Sequence, residues 1–201
     1  TVVPRSEMGV AQDVRIDRER LIRRLDELGE IGRIPGTIGV ARLALTDADK
    51  AGRDLVRTWM ADLGLHISTD GIGNVIATMP HSSGLAPVMT GSHIDTVATG
   101  GRYDGNLGVL AGLEVIETVM ASGIELSRPL AVGWFTDEEG ARFAPDMLGS
   151  LVYVGGLAIE QALHLIRGQD LARNLTRMLP KVWRPVRPIR PLAAEPPRGT
   201  D

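Results

Sequence analysis

The 201-residue chain has no cysteine, so neither a disulfide framework nor thiolate chemistry is open to it. It has no apolar run near the ~20 residues that cross a bilayer as a helix. Thr1 to Gln12 lack the apolar core of a secretory signal. Neither sign of charge dominates: 22 basic and 25 acidic side chains give a formal net charge of −3, which offers nothing overall to nucleic acid or an anionic membrane. His-Glu-x-x-His is missing, as are a Gly-x-Ser-x-Gly elbow and the Gly-Lys-Ser/Thr of a phosphate loop. No internal repeat is visible. These absences leave a cytoplasmic protein without nucleic-acid or membrane partners, and they remove several familiar hydrolase chemistries.

What is present reads as α/β. Arg15 to Leu28 has helical spacing, with Ile16, Leu21, Ile22, Leu25 and Leu28 apolar and Asp17 placed to cap the start. Thr46-Asp47-Ala48-Asp49 opens a second helix with a cap and first-turn acids, and Gly64 ends it. His66 to Thr69 and Asn74 to Thr78 read as strands joined through Asp70-Gly71-Ile72-Gly73. Pro87 to Thr90 is a short buried strand, and Asp104 to Ala121 a helix with a thin wet stripe of Glu114, Glu117, Thr118 and Ala121. Leu130 to Phe135 is a continuous apolar run, as in a strand covered on both faces. The architecture this predicts is a largely parallel sheet with helices on both faces.

Two stretches organise the chain. Gly91-Ser92-His93-Ile94-Asp95-Thr96-Val97 runs on to Gly100-Gly101-Arg102-Tyr103-Asp104-Gly105, and Thr136-Asp137-Glu138-Glu139-Gly140 follows later. Together they bring one imidazole and five acidic side chains, beside glycines and turns. Each cluster lies at the C-terminal end of an expected strand, where open α/β sheets place their sites. Neutral imidazole and carboxylate oxygen suit divalent ions such as Zn and Mn. Asp95 is placed to accept the second ring N–H of His93 and fix its tautomer. Asp104 either caps its helix or holds metal. Glu138 and Glu139 are neighbours on extended chain, so one can bind metal while the other faces substrate. His66 and His81 read as ordinary strand and loop residues.

Gly91 to Val97, Gly100 to Gly105, Gly108-Val109-Leu110-Ala111-Gly112-Leu113-Glu114, and Asp137-Glu138-Glu139-Gly140-Ala141-Arg142-Phe143 with Met147-Leu148-Gly149-Ser150 closely resemble the M20 metallohydrolases. The wording is that of the hydantoinase/carbamoylase branch: N-carbamoyl-L-amino-acid hydrolases, allantoate amidohydrolases and β-ureidopropionases. The resemblance covers about Arg15 to Leu163. It implies an M20-type catalytic domain and a pair of divalent ions, Zn or Mn. His93 is then on one ion, Asp104 bridges, Glu139 is on the other, Glu138 is the base, and Asp95 supports His93. The implied reaction is hydrolysis of a carbamoyl or ureido C–N bond in a small-molecule substrate. An M20 aminoacylase or peptidase shares the metal site, and a non-catalytic remnant is the rival outside enzymes.

The sequence departs from that family pattern. A later His-Ile-Glu-Gln-Gly-Pro motif and a last histidine near the C-terminus have no counterpart, and His164 lacks their context. The inserted domain through which the family dimerises, with its substrate-binding arginine, is missing, so no substrate-binding residue is assigned. Residues 1–163 therefore read as the N-terminal part of an incomplete catalytic domain, truncated relative to the family. Residues 164–201 carry 8 basic and 3 acidic side chains and 6 of the 12 prolines. This Arg/Pro-rich stretch reads as an atypical, disordered tail, of the kind a reading-frame shift in a GC-rich gene produces.

Overall fold

The computed structural model describes residues 14–169; the readings of the first residues and of 170–201 lie outside it. Helix α1 spans Arg18–Glu30. Asp17 stays extended before it and accepts the N–H of Arg20 at 2.9 Å, satisfying a donor that the first turn cannot. Helix α2 spans Asp47–Asp62, with the Thr46 hydroxyl accepting from Asp49 N–H at 3.2 Å. Strands β1 (His66–Thr69) and β2 (Val75–Thr78) form an antiparallel hairpin. One oxygen of Asp70 closes its turn by accepting the N–H groups of Ile72, Gly73 and Asn74.

Strand β3 (Val88–His93), helix α3 (Asn106–Ser122) and strand β4 (Leu130–Phe135) form a crossover unit, and β3 and β4 pair in parallel. The sheet order is β1-β2-β4-β3, with β2 antiparallel to both of its neighbours. The α/β class holds, but the sheet is mixed rather than largely parallel. A short hairpin can only return antiparallel, and α3 alone supplies a helical crossover between adjacent strands. Strand β3 also differs from the buried strand expected. It is an edge among the described residues, and Val88 is 55% exposed.

Helices lie on both faces. Val132 and Trp134 of β4 point into a core shared with Leu25 and Leu28 of α1, Val56 and Met60 of α2, and Leu110 and Leu113 of α3. Adjacent Phe135 points the other way, where its ring meets Tyr153 of helix α4 (Leu148–Tyr153) at 5.2 Å between centroids. Helix α5 spans Ile159–Gln169 and buries Ala162 and Ile166 beside Leu148 and Phe143. The boundary expected between 163 and 164 therefore falls inside a helix.

Most of the stripe of α3 is covered, with Ala121 alone of its four residues left exposed. Glu114 is fully buried beneath α1, where it meets Arg20 at 2.7 Å, while Arg24 meets Glu117 at 2.7 Å. The apolar Leu107 and Val115 face solvent instead. Amphipathic spacing identified the helix but not which side a neighbour covers.

Candidate functional site

The site forms where β3 and β4 end and α3 begins, so the crossover unit brings both sequence clusters together. One donor atom each from His93, Asp104 and Glu139 lies within 4.8 Å of the others. His93 is the last residue of β3, in register with Phe135, the last of β4. Asp104 lies just ahead of α3, which begins at Asn106 rather than at Asp104; it is exposed and makes no cap bond. Gly105 has φ +66°, and a Cβ there would lie 2.4 Å from the His93 ring. Only glycine lets the backbone after Asp104 come that close to the imidazole.

Asp95 is almost fully buried, and its connections differ from those expected. His93 Nδ1 lies 2.9 Å from the main-chain carbonyl of Asp95 and 3.9 Å from the carboxylate. A protonated Nδ1 donates to that carbonyl and leaves Nε2 with a free lone pair. The Asp95 carboxylate instead faces the backbone N–H groups of Glu138 and Glu139, at 3.4 and 3.3 Å. It ties the β4 loop to the β3 end.

Glu138 and Glu139 diverge as adjacent side chains do. Glu139 joins the donor cluster. Glu138 turns to Ser150, whose N–H donates to one oxygen at 2.8 Å and whose hydroxyl donates to the other at 2.7 Å. Burial raises the pKa of Glu138; the two Ser150 bonds oppose that shift and Asp95 adds to it. Burial also raises the pKa of Glu139, with His93 opposing and Asp104 and Asp95 reinforcing the rise. Asp137 goes furthest. It is fully buried, neither oxygen makes a hydrogen bond of good geometry among the described residues, and its carboxyl is pushed up to about 8. Burial is the main cause and Asp95 the next, while the Phe143 backbone N–H offsets only part.

The backbone around these acids is under tension. Asp137 and Met147 take left-handed φ values of 58° and 57°. The N–H groups of Met147, Leu148 and Gly149 bond back to the carbonyls of Glu138, Asp137 and Thr136. Buried Asn74 donates to Gly149 O at 2.8 Å and accepts from Thr136 N–H at 2.9 Å, which holds the loop shut from below. The sequence reading gave Ser150 only as part of the family wording and Asn74 only as a strand residue, and assigned neither a role at the site. His66, His81 and His164 are exposed, and none joins the donor cluster.

A mixed nitrogen and oxygen donor set, close to the unmatched carboxyl of Asp137, fits a divalent cation. Fold and site together define a metallohydrolase-like α/β protein. The family model that matches, over residues 74–165, is described as Peptidase family M28. An N-carbamoyl-L-amino acid amidohydrolase of Geobacillus stearothermophilus is 44% identical over 146 residues, covering 72% of this chain and 36% of the relative. The corresponding enzyme of Rhizobium meliloti is 45% identical over 150 residues, covering 74% and 36%. Among solved structures, a hydantoinase/carbamoylase family amidase from Burkholderia ambifaria is 49% identical with a TM-score of 0.72, over 75% of this chain and 37% of that one. Over about three quarters of its length the chain is similar to hydantoinase/carbamoylase amidases. It spans just over a third of the length of the curated relatives it matches.

Proposed function

We propose that the chain carries the metal-binding and proton-transferring elements of an amidohydrolase that cleaves the carbamoyl or ureido C–N bond of an N-carbamoyl amino acid or related ureido acid. The observation that supports this best is the convergence of His93, Asp104 and Glu139 beside a Glu138 already oriented by Ser150. His93, Asp104 and Glu139 would hold the metal. When bound, such an ion polarises a carbonyl and acidifies water. Glu138 is the general base: its raised pKa suits it to take a proton from water and return it to the departing nitrogen. Asp95 positions the set, orienting His93 through its carbonyl and the Glu138–Glu139 loop through its carboxylate. The known activity of the two amidohydrolase relatives favours the carbamoyl substrate over a peptide.

Calorimetric titration of the purified chain with Zn2+ and with Mn2+ tests the reading. We expect binding that His93→Ala abolishes. Equal affinity in the unmodified chain and in His93→Ala would remove the site.

A further inference from the structure

Behind the donor cluster lies Arg42, which none of the roles above includes. It is fully buried, yet its side chain makes no ion pair among the described residues. Its guanidinium is instead surrounded by neutral oxygens. Nε donates to Ile94 O at 2.8 Å, Nη1 donates to Leu28 O and Ile31 O at 2.8 Å each, and Nη2 donates to Asn106 Oδ1 at 2.9 Å. Its main chain adds an N–H bond to the Thr96 hydroxyl at 2.8 Å and accepts from Thr96 N–H at 2.9 Å.

The identity of those acceptors gives the arrangement its meaning. Ile94 lies between His93 and Asp95. Asn106 opens α3 two residues after Asp104, and its own amide donates to Arg102 O at 3.0 Å, bracing the loop that holds Asp104. Leu28 and Ile31 mark the C-terminal end of α1. One planar group therefore spans the two segments that carry metal donors and anchors both to the scaffold. A guanidinium is suited to this because its N–H vectors are fixed in one fork, whereas an ammonium on a flexible stem imposes no such geometry. Space is reserved for it: a Cβ on Gly52 of α2 would lie 2.8 Å from Arg42 Cδ. Burial brings its pKa down to about 10, with Asp49 and Asp95 opposing, so it stays charged at neutral pH.

We propose that Arg42 is a positioning residue for the metal site, fixing the end of β3 and the start of α3 at the separation at which His93 and Asp104 share an ion. The inference rests on the metal-binding reading. Side chains that orient ligands without touching the ion typically alter affinity by about 10- to 100-fold.

Two variants of the purified chain test it. Arg42→Lys keeps the charge and loses the fork; Asn106→Ala cuts the link to α3 together with the Asn106 bond to Arg102 O, and Asn106→Asp, which keeps the acceptor for Arg42 and loses only the Arg102 bond, is the control for that second loss. In the metal-free chain, amide hydrogen exchange is expected to rise about tenfold or more in 93–97 and 104–108, with β1, β2 and α2 unchanged. In Zn2+ and Mn2+ calorimetry, at a temperature where circular dichroism shows both variants folded, affinity is expected to fall about 10- to 100-fold. Affinity equal to that of the unmodified chain in a folded variant overturns the proposal. So does an exchange rise spread evenly over the chain, which is what general structural support produces. If Arg42→Lys does not fold, Asn106→Ala decides. An unmodified chain that binds neither ion overturns the metal reading itself and the proposal with it, a result distinct from equal binding in parent and variants.

Discussion

Glu114 and Asp137 are both wholly buried carboxylates, and the fold treats them in opposite ways. Glu114, between α1 and α3, accepts from Asp17 N–H, from two nitrogens of Arg20 and from the Thr118 hydroxyl, all within 3.0 Å. Burial would raise its pKa, but Arg20 and the other donors outweigh that and hold it below the ordinary carboxylate value. Among the described residues Asp137 has no hydrogen bond of good geometry to either oxygen, only the weak offset of the Phe143 N–H, and more acids around it. A scaffold charge must be matched because desolvation alone is costly. At the site Asp137 goes unmatched, which works against the folded state and is what the proposed cation site would call for. Charge is thus spent on stability at one end and held in reserve at the other.

The largest test of that contrast is chemical. In a version completed with the C-terminal portion of a related amidohydrolase, Glu138→Gln should lower turnover of an N-carbamoyl amino acid about 100- to 10,000-fold, since glutamine keeps the shape but cannot take a proton. Ion affinity should stay as it was, whereas Glu139→Gln should lower affinity and rate together. If Glu138→Gln weakens binding as much as Glu139→Gln does, the division of roles between the neighbours is wrong.

On the scaffold side, Arg20→Ala leaves Glu114 buried without its cation and should cost about 3 kcal/mol by urea denaturation. A loss no larger than that of an exposed ion pair would mean that the α1–α3 pairing does not carry the scaffold. The pH dependence has a fixed sign. Because the folded pKa of Glu114 is depressed, its contribution is fully present above the ordinary value of 4.5 and is lost as pH falls through the lowered one. The stability of Glu114→Gln should therefore fall below that of the parent at neutral pH, and the two should converge on acidification. A gap that widens in acid would contradict the pairing.

The unmatched end should respond the other way. Asp137→Asn removes an unmatched carboxyl and should raise the stability of the metal-free chain by about 1 kcal/mol, read as an increase in Tm. A marked drop in Tm would show that Asp137 is satisfied in a way its surroundings do not reveal. The smallest effect belongs to Arg24→Ala. It removes a partly buried pair with Glu117 and a stacking contact 5.6 Å from the Trp59 ring centre, together about 1 kcal/mol.

The sequence by itself determined what depends on neighbouring residues. Asp17 and Thr46 mark helix starts because a side-chain oxygen there satisfies a backbone N–H within three residues. Asp70 marks the hairpin turn for the same local reason. The apolar run of β4 was readable, and so was the grouping of His93, Asp104 and Glu139, since each sits among glycines and acids at the end of a strand or the start of a helix. Tertiary structure decided the rest. It made the sheet mixed, left β3 at an edge and covered the Glu114 stripe with α1. It gave the Asp95 carboxylate to a loop rather than to His93. Ser150 grips Glu138 across 12 residues, and Arg42 reaches Asn106 across 64. Spacing and capping record what a residue asks of its own backbone; a partner dozens of residues away leaves no local trace until the chain has folded against itself.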